Sequence, residues 1–172
     1  MRNSLVTRTR TWLGTDIDGG LHLPLVTGTN GYGLADSFAS DWDDFLALAR
    51  SGIENDDVTA LQDSLRLVRG RPFLGVDPAS YVWAEAVTQE MISSIVDVAY
   101  ELAARLLEDG DAPGAQDAAA RGLLADPANE TLHRAAINAA LARGDRDDAA
   151  RLETRLRIQL EDIDPDAALS IE

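Results

Sequence analysis

The sequence has no cysteine and no lysine. Without cysteine there is no disulfide and no thiolate metal site, and the redox compartment is left open. Without lysine every cation among the side chains is one of 15 arginines. Together with abundant Ala, Asp, Gly and Leu, this reads as the codon signature of a GC-rich genome, which is a correlation and not physics. Long apolar runs are also missing: no stretch approaches the ~18–20 residues that a membrane-spanning helix needs. Met1-Arg2-Asn3-Ser4-Leu5 lacks the apolar core of a signal peptide, so the expected location is cytoplasmic. A length of 172 residues is enough for a core without staples and suggests one domain, or one domain plus a fragment.

Charge is plentiful but one-sided, with a net of −15. The first 15 residues carry Arg2, Arg8 and Arg10 and no acid. The remaining 157 carry 12 Arg against 30 acids, a net of −18. Such a body repels phosphate, so the bulk of the chain is not expected to bind nucleic acid.

The composition changes near Ser40. Before it lie Gly, Thr, Pro and β-formers. Leu21-His22-Leu23-Pro24-Leu25-Val26 reads as a short edge strand, because Pro24 lacks the N–H a central strand needs. Gly28-Thr29-Asn30-Gly31 reads as a tight turn and Tyr32-Gly33-Leu34 as the return strand, giving an expected β-hairpin at about 21–35. After Ser40 the spacing is helical. Ser40-Asp41-Trp42-Asp43 opens a helix ending near Gly52. A second runs from about Asp57 to Val68 and breaks at Arg69-Gly70-Arg71-Pro72. Asp77-Pro78 is expected to start a long helix to Glu108, with proline in its first turn. Two apolar rows along it (Ala84, Val87, Met91, Ile95, Val98, Leu102, Leu106 and Ile92, Val96, Ala99, Ala103) predict burial on two sides. Further helices are expected at about 112–125, 129–143 and 146–161.

An internal repeat is the strongest signal. Leu107-Glu108-Asp109-Gly110-Asp111 aligns with Leu141-Ala142-Arg143-Gly144-Asp145 at an offset of 34, which also pairs Ala115 with Ala149. Two helices per 34-residue unit is the tetratricopeptide period. Glycine ends each first helix, a polar turn follows, and a small Ala in the second helix allows close approach. The competing reading is a plain helical bundle with chance spacing. The fold class is thus mainly α: a tetratricopeptide-like helical repeat bundle preceded by a short hairpin.

Few residues suggest chemistry. His22 and His133 stand alone, in no metal-ligand spacing. Asp16-Ile17-Asp18-Gly19-Gly20 opens like a calcium loop. However, Leu21 occupies the place that needs Gly and Thr27 the place that needs Glu, so a solvated turn is expected. The glycine-rich Gly28–Gly33 run has no following helix to hold phosphate. No enzyme activity and no cofactor are expected. Trp42 and Trp83 are expected in the core, with partner anchoring as the alternative for them and for Tyr81. Tyr100, Arg105, Arg134 and Asn138 are large polar residues in otherwise Ala- and Leu-rich first helices. They are expected to line a groove for a protein partner or a second copy, with Arg clamping acidic or carbonyl groups, the alternative being that they are only solvated. In acidic surroundings a basic peptide is equally admissible.

The region from Ser40 onward resembles the bacterial transcriptional activator domain of actinobacterial antibiotic regulatory proteins. The residues that carry it are Ser40-Asp41-Trp42-Asp43-Asp44-Phe45, Leu67-Val68-Arg69-Gly70-Arg71-Pro72-Phe73-Leu74, Trp83-Ala84-Glu85 and Leu124-Ala125-Asp126-Pro127. The Arg-Gly-Arg-Pro-Phe run followed by Trp83 looks most like the subgroup found in LysM-containing multidomain proteins. The resemblance implies a tetratricopeptide-like domain over 40–172 that acts in regulation beside a DNA-binding domain. A generic adaptor unrelated to transcription is the alternative. In that family a winged helix precedes this domain. Residues 1–39 resemble its C-terminal remnant: Thr7–Gly14 the end of its recognition helix, and the hairpin its wing. Arg8 and Arg10 would then touch the DNA backbone in an intact parent protein, with a frayed basic terminus as the alternative. Its earlier helices are not present, so the chain is expected to be a piece of a larger protein or the product of a truncated gene.

Overall fold

The structure, a computed structural model, describes residues 2–25 and 31–163. The chain forms two compact units, Met1–Asp44 and Phe45–Glu172.

In the first unit, helix α1 (Arg2–Leu13) ends at Gly14, whose φ of 73° is the left-handed value that glycine tolerates. The next turn is organised by Asp16. One of its carboxylate oxygens accepts the N–H groups of Asp18 (3.0 Å) and Gly20 (2.7 Å). The Gly20 N–H, then Ser37, hold this carboxyl below its ordinary range. The turn closes an antiparallel bridge between Thr15 and Leu21. Arg10 spans onward, donating from Nε to the Leu23 carbonyl (2.7 Å) and from Nη2 to that of Pro24 (3.1 Å). His22 packs edge-on against Phe38 at 5.6 Å.

The expected hairpin at 21–35 is not found. Residues 26–30 lie outside the described residues, and among those described neither flank is a strand. Leu21 pairs instead with Thr15, and among the described residues the Ala35 N–H to His22 carbonyl bond (2.8 Å) is the backbone bond that joins the two flanks. The physical reason is local. The Asp16 turn closes a five-residue loop, which costs less entropy than closing the longer one, and Pro24 has no N–H to give to a ladder.

Helix α2 (Asp41–Glu54) starts at a reciprocal cap. Ser40 Oγ accepts the Asp43 N–H (3.2 Å), and Asp43 accepts the Ser40 N–H (3.1 Å) and hydroxyl (2.7 Å). These Ser40 bonds also lower the Asp43 pKa. Gly52 lets helix α3 (Val58–Arg66) approach: a Cβ there would fall 2.6 Å from the Leu61 side chain. Asp57 caps α3, accepting from Thr59 (2.9 Å) and Ala60 (3.1 Å).

The long helix starts later than the sequence suggests. Asp77 caps only a 3-10 turn, Pro78–Ser80, by accepting from the Ala79 N–H (3.1 Å) and the Ser80 hydroxyl (2.8 Å). Tyr81 then leaves helical geometry (φ −124°, ψ 28°), a second 3-10 turn covers Val82–Ala84, and α4 runs Glu85–Glu108. It buries Ile92, Ile95, Val98, Ala99, Leu102, Ala103 and Leu106, residues of both expected rows, whereas Val87 of the first row is exposed and Met91 and Val96 are only half-buried. Each large aliphatic among the buried ones is worth about 1.5–3 kcal/mol of burial.

Helices α5 (Ala112–Ala125), α6 (Glu130–Ala142) and α7 (Arg146–Ile163) follow as consecutive neighbours, α4 packing on α5, α5 on α6 and α6 on α7. The 34-residue offset recurs in the backbone. Gly110 and Gly144 adopt φ of 80° and 78°. Beyond them the Asp111 N–H reaches back to the Leu106 carbonyl (2.7 Å), and the Asp145 N–H to that of Ala140 (3.0 Å). Asp111 caps α5 through the Gly114 N–H (3.0 Å), and Asp145 accepts from Asp148 (2.9 Å). Ala115 and Ala149 are both buried. Asn129 caps α6 through Leu132 (3.1 Å), and His133, buried, meets the Pro127 carbonyl through Nε2 at 2.9 Å.

Candidate protein-binding groove

Helices α4 and α6 are the first helices of successive pairs. Each packs against α5, and the two also pack against one another. Tyr100, Ala104 and Leu107 fall on one face of α4 at helical spacing. Thr131, Arg134, Ala135 and Asn138 do so on α6. Together they line a cavity of about 300 Å³. Its floor is small and apolar, and its rim carries a phenol, a hydroxyl, an amide and a guanidinium.

Three of the four residues expected in a groove, Tyr100, Arg134 and Asn138, therefore meet in one place. All three are exposed. Arg134 is engaged within its own helix: its Nε donates to Glu130 at 2.9 Å, and Nη2 donates to the same oxygen. Arg105 is elsewhere. One residue beyond Ala104, it is turned by about 100° around α4. It donates to Glu101 (2.8 Å), Asp56 (2.9 Å) and the Gly52 carbonyl (3.0 Å). Its side chain is only 17% exposed. It ties α4 to the α2–α3 connection and does not reach the groove.

In the first unit Arg8 is exposed on α1, whereas Arg10 is held by the Leu23 and Pro24 carbonyls. Trp83 is 70% exposed, which corrects its expected place in the core. The 3-10 turn around it sends its ring outward, while Ala84 takes the buried position. Trp42 is half-buried.

A second feature was missed by reasoning from the sequence. A cavity of about 590 Å³ lies between the Arg71–Val76 turn and the start of α4, lined by Pro72, Phe73, Leu74, Tyr81 and Val82 among others. The signal was present as a cluster of aromatic and aliphatic residues in a stretch with neither helical nor strand period. Phe73 also has φ of 57°, unusual for a side chain of its bulk.

Among the described residues no group of three or more His, Asp or Glu is placed to hold a metal. No described helix is long and apolar enough to cross a membrane. The family model described as the bacterial transcriptional activator domain matches residues 39–170. Neither the curated proteins nor the solved structures give a match.

Proposed function

The chain belongs to the bacterial transcriptional activator domain family, and from that premise we propose that it is a regulatory, protein-binding module of a transcription activator. The family is regulatory and is not known for enzymatic activity. The observation that supports partner binding most directly is the convergence of Tyr100, Arg134 and Asn138 on one cavity between the first helices α4 and α6. Stacked helix pairs bury their apolar faces on one another and leave such a surface for a partner or a second copy of the chain. The matching turns at Gly110 and Gly144 support a tetratricopeptide-like description of α4–α7.

The finer assignments rest on sequence resemblance. They are an actinobacterial cytoplasmic regulator of the LysM-associated subgroup, with residues 1–39 as the trailing part of a DNA-binding domain. In an intact parent protein Arg8, exposed on α1, is then available to a DNA phosphate. Arg10, bound to two carbonyls, would have to exchange those bonds first.

The test is to tether the chain to an unrelated DNA-binding domain upstream of a reporter in an actinobacterial host. The wild type should change reporter output. A Tyr100→Ala, Asn138→Ala variant that folds normally should lose most of that change. Unaltered output from the variant would remove the groove from the function.

A further inference from the structure

We propose that the α4–α6 groove takes an extended, basic peptide segment, a refinement that rests on the groove reading above. Among the described residues the groove offers no unpaired cation. Arg134 is neutralised by Glu130, and Arg105 is turned away into its contacts with Glu101 and Asp56. An acidic ligand would therefore have to break an existing ion pair before gaining one. The α4 stripe meanwhile continues in both directions into carboxylates. Asp97 lies one turn before Tyr100, and Glu108 one turn after Ala104. Both are exposed, and neither has an ion-pair partner among the described residues. They stand in a body of net −18 beyond residue 15, so the local field and the global field have the same sign.

The remaining groups fit the rest of such a ligand. The Asn138 amide has no hydrogen-bond partner among the described residues, and it offers both a donor and an acceptor. That pair matches one backbone N–H and one C=O of an extended strand. Tyr100 is about half exposed and presents a ring on which a Lys or Arg side chain can rest, its charge over the π face and its methylenes over Ala104. Leu107 and Ala135 supply apolar contact between the polar points. The groove is thus read as a backbone clamp at α6 with a cation seat at α4.

The experiment uses the full chain and three fluorescein-labelled peptides of one Gly/Ala/Leu design, carrying Lys, Gln or Glu at the same alternate positions. Binding is followed by fluorescence anisotropy at low and raised salt. The Lys peptide should bind, weakening with salt, and the Glu peptide should not bind. Asp97→Asn and Glu108→Gln should each weaken it about threefold. Tyr100→Ala should weaken it about fivefold. A control pair on other helices, Asp117→Asn with Glu153→Gln, should leave it unchanged. Equal loss from that control pair would mean general attraction to an acidic body and would overturn the proposal. If the Gln or Glu peptide binds as tightly as the Lys peptide and Asn138→Ala weakens it, the basic preference fails while the groove stands. If no peptide binds and Asn138→Ala also leaves the tethered reporter unchanged, the groove reading fails with it.

Discussion

Replacing Gly122 by Ala should destabilise the helical unit even though alanine is the better helix former. Gly122 is buried in α5 where that helix meets both α4 and α6. A methyl group there would lie 2.6 Å from the Ala99 Cβ and 2.5 Å from Leu132 Cδ1. Ordinary carbon contacts are about 3.5–4.0 Å, so each neighbour must retreat by about an ångström. Ala99 has no rotamer to change. Leu132 has one, but it is fully buried, and in a close-packed interior a rotamer change displaces other atoms. Helix propensity favours the alanine by up to about 1 kcal/mol, and overpacking opposes it by about 1–3 kcal/mol. The net expectation is a loss of about 1–2 kcal/mol. For a chain of this size that lowers the thermal midpoint by about 2–8 °C. The measurement is circular dichroism during heating, with urea unfolding as a second axis. Adding Ala99→Gly removes one of the two obstructing carbons, so the double variant should lose less than the two singles combined. A midpoint that rises, or does not move, on Gly122→Ala would refute the claim that the three helices meet at this glycine.

Ala115→Leu and Ala149→Leu should each cost about 1–3 kcal/mol by overpacking equivalent crossings, read from the denaturation midpoint; if neither moves it, the equivalence of the two pairs is wrong. Arg105→Ala should cost about 1–2 kcal/mol, chiefly through its bond to the Gly52 carbonyl, and should leave peptide binding in the groove intact, since Asp56 on the far side is largely exposed. Asp148 should contribute to acid sensitivity: its bond to Arg151 first, then to Gln116, holds its pKa below the ordinary carboxylate value. Its stabilising share is therefore present above that ordinary value and is lost as pH falls through the lowered one. Asp148→Asn should flatten stability against pH in that acidic window, and an unchanged profile would discard this role. Finally, the chain should not shift duplex DNA at physiological salt, because three N-terminal arginines face a remainder of −18; a specific submicromolar complex would contradict this.

What the sequence determined by itself was everything set within a few residues or by period. Helical spacing located α2 to α7, though not where α4 begins, and Ser40 marked the start of α2 because a cap needs only a side chain two or three residues from an open N–H. The 34-residue offset was legible because Gly110 and Gly144 satisfy the same backbone demand, a left-handed residue that ends a helix. Tyr100, Arg134 and Asn138 could be singled out as large polar residues among Ala and Leu. The tertiary structure decided which way side chains point and which distant groups they meet. Arg105 and Ala104 are neighbours in sequence, yet only one lines the groove, because a single helical step rotates a side chain by about 100°. Trp83 looked like core by its chemistry and is exposed because two 3-10 turns shift the register ahead of α4. The 21–35 hairpin failed because Leu21 had a nearer partner in Thr15, a competition between two loop closures that alternation along the chain does not reveal.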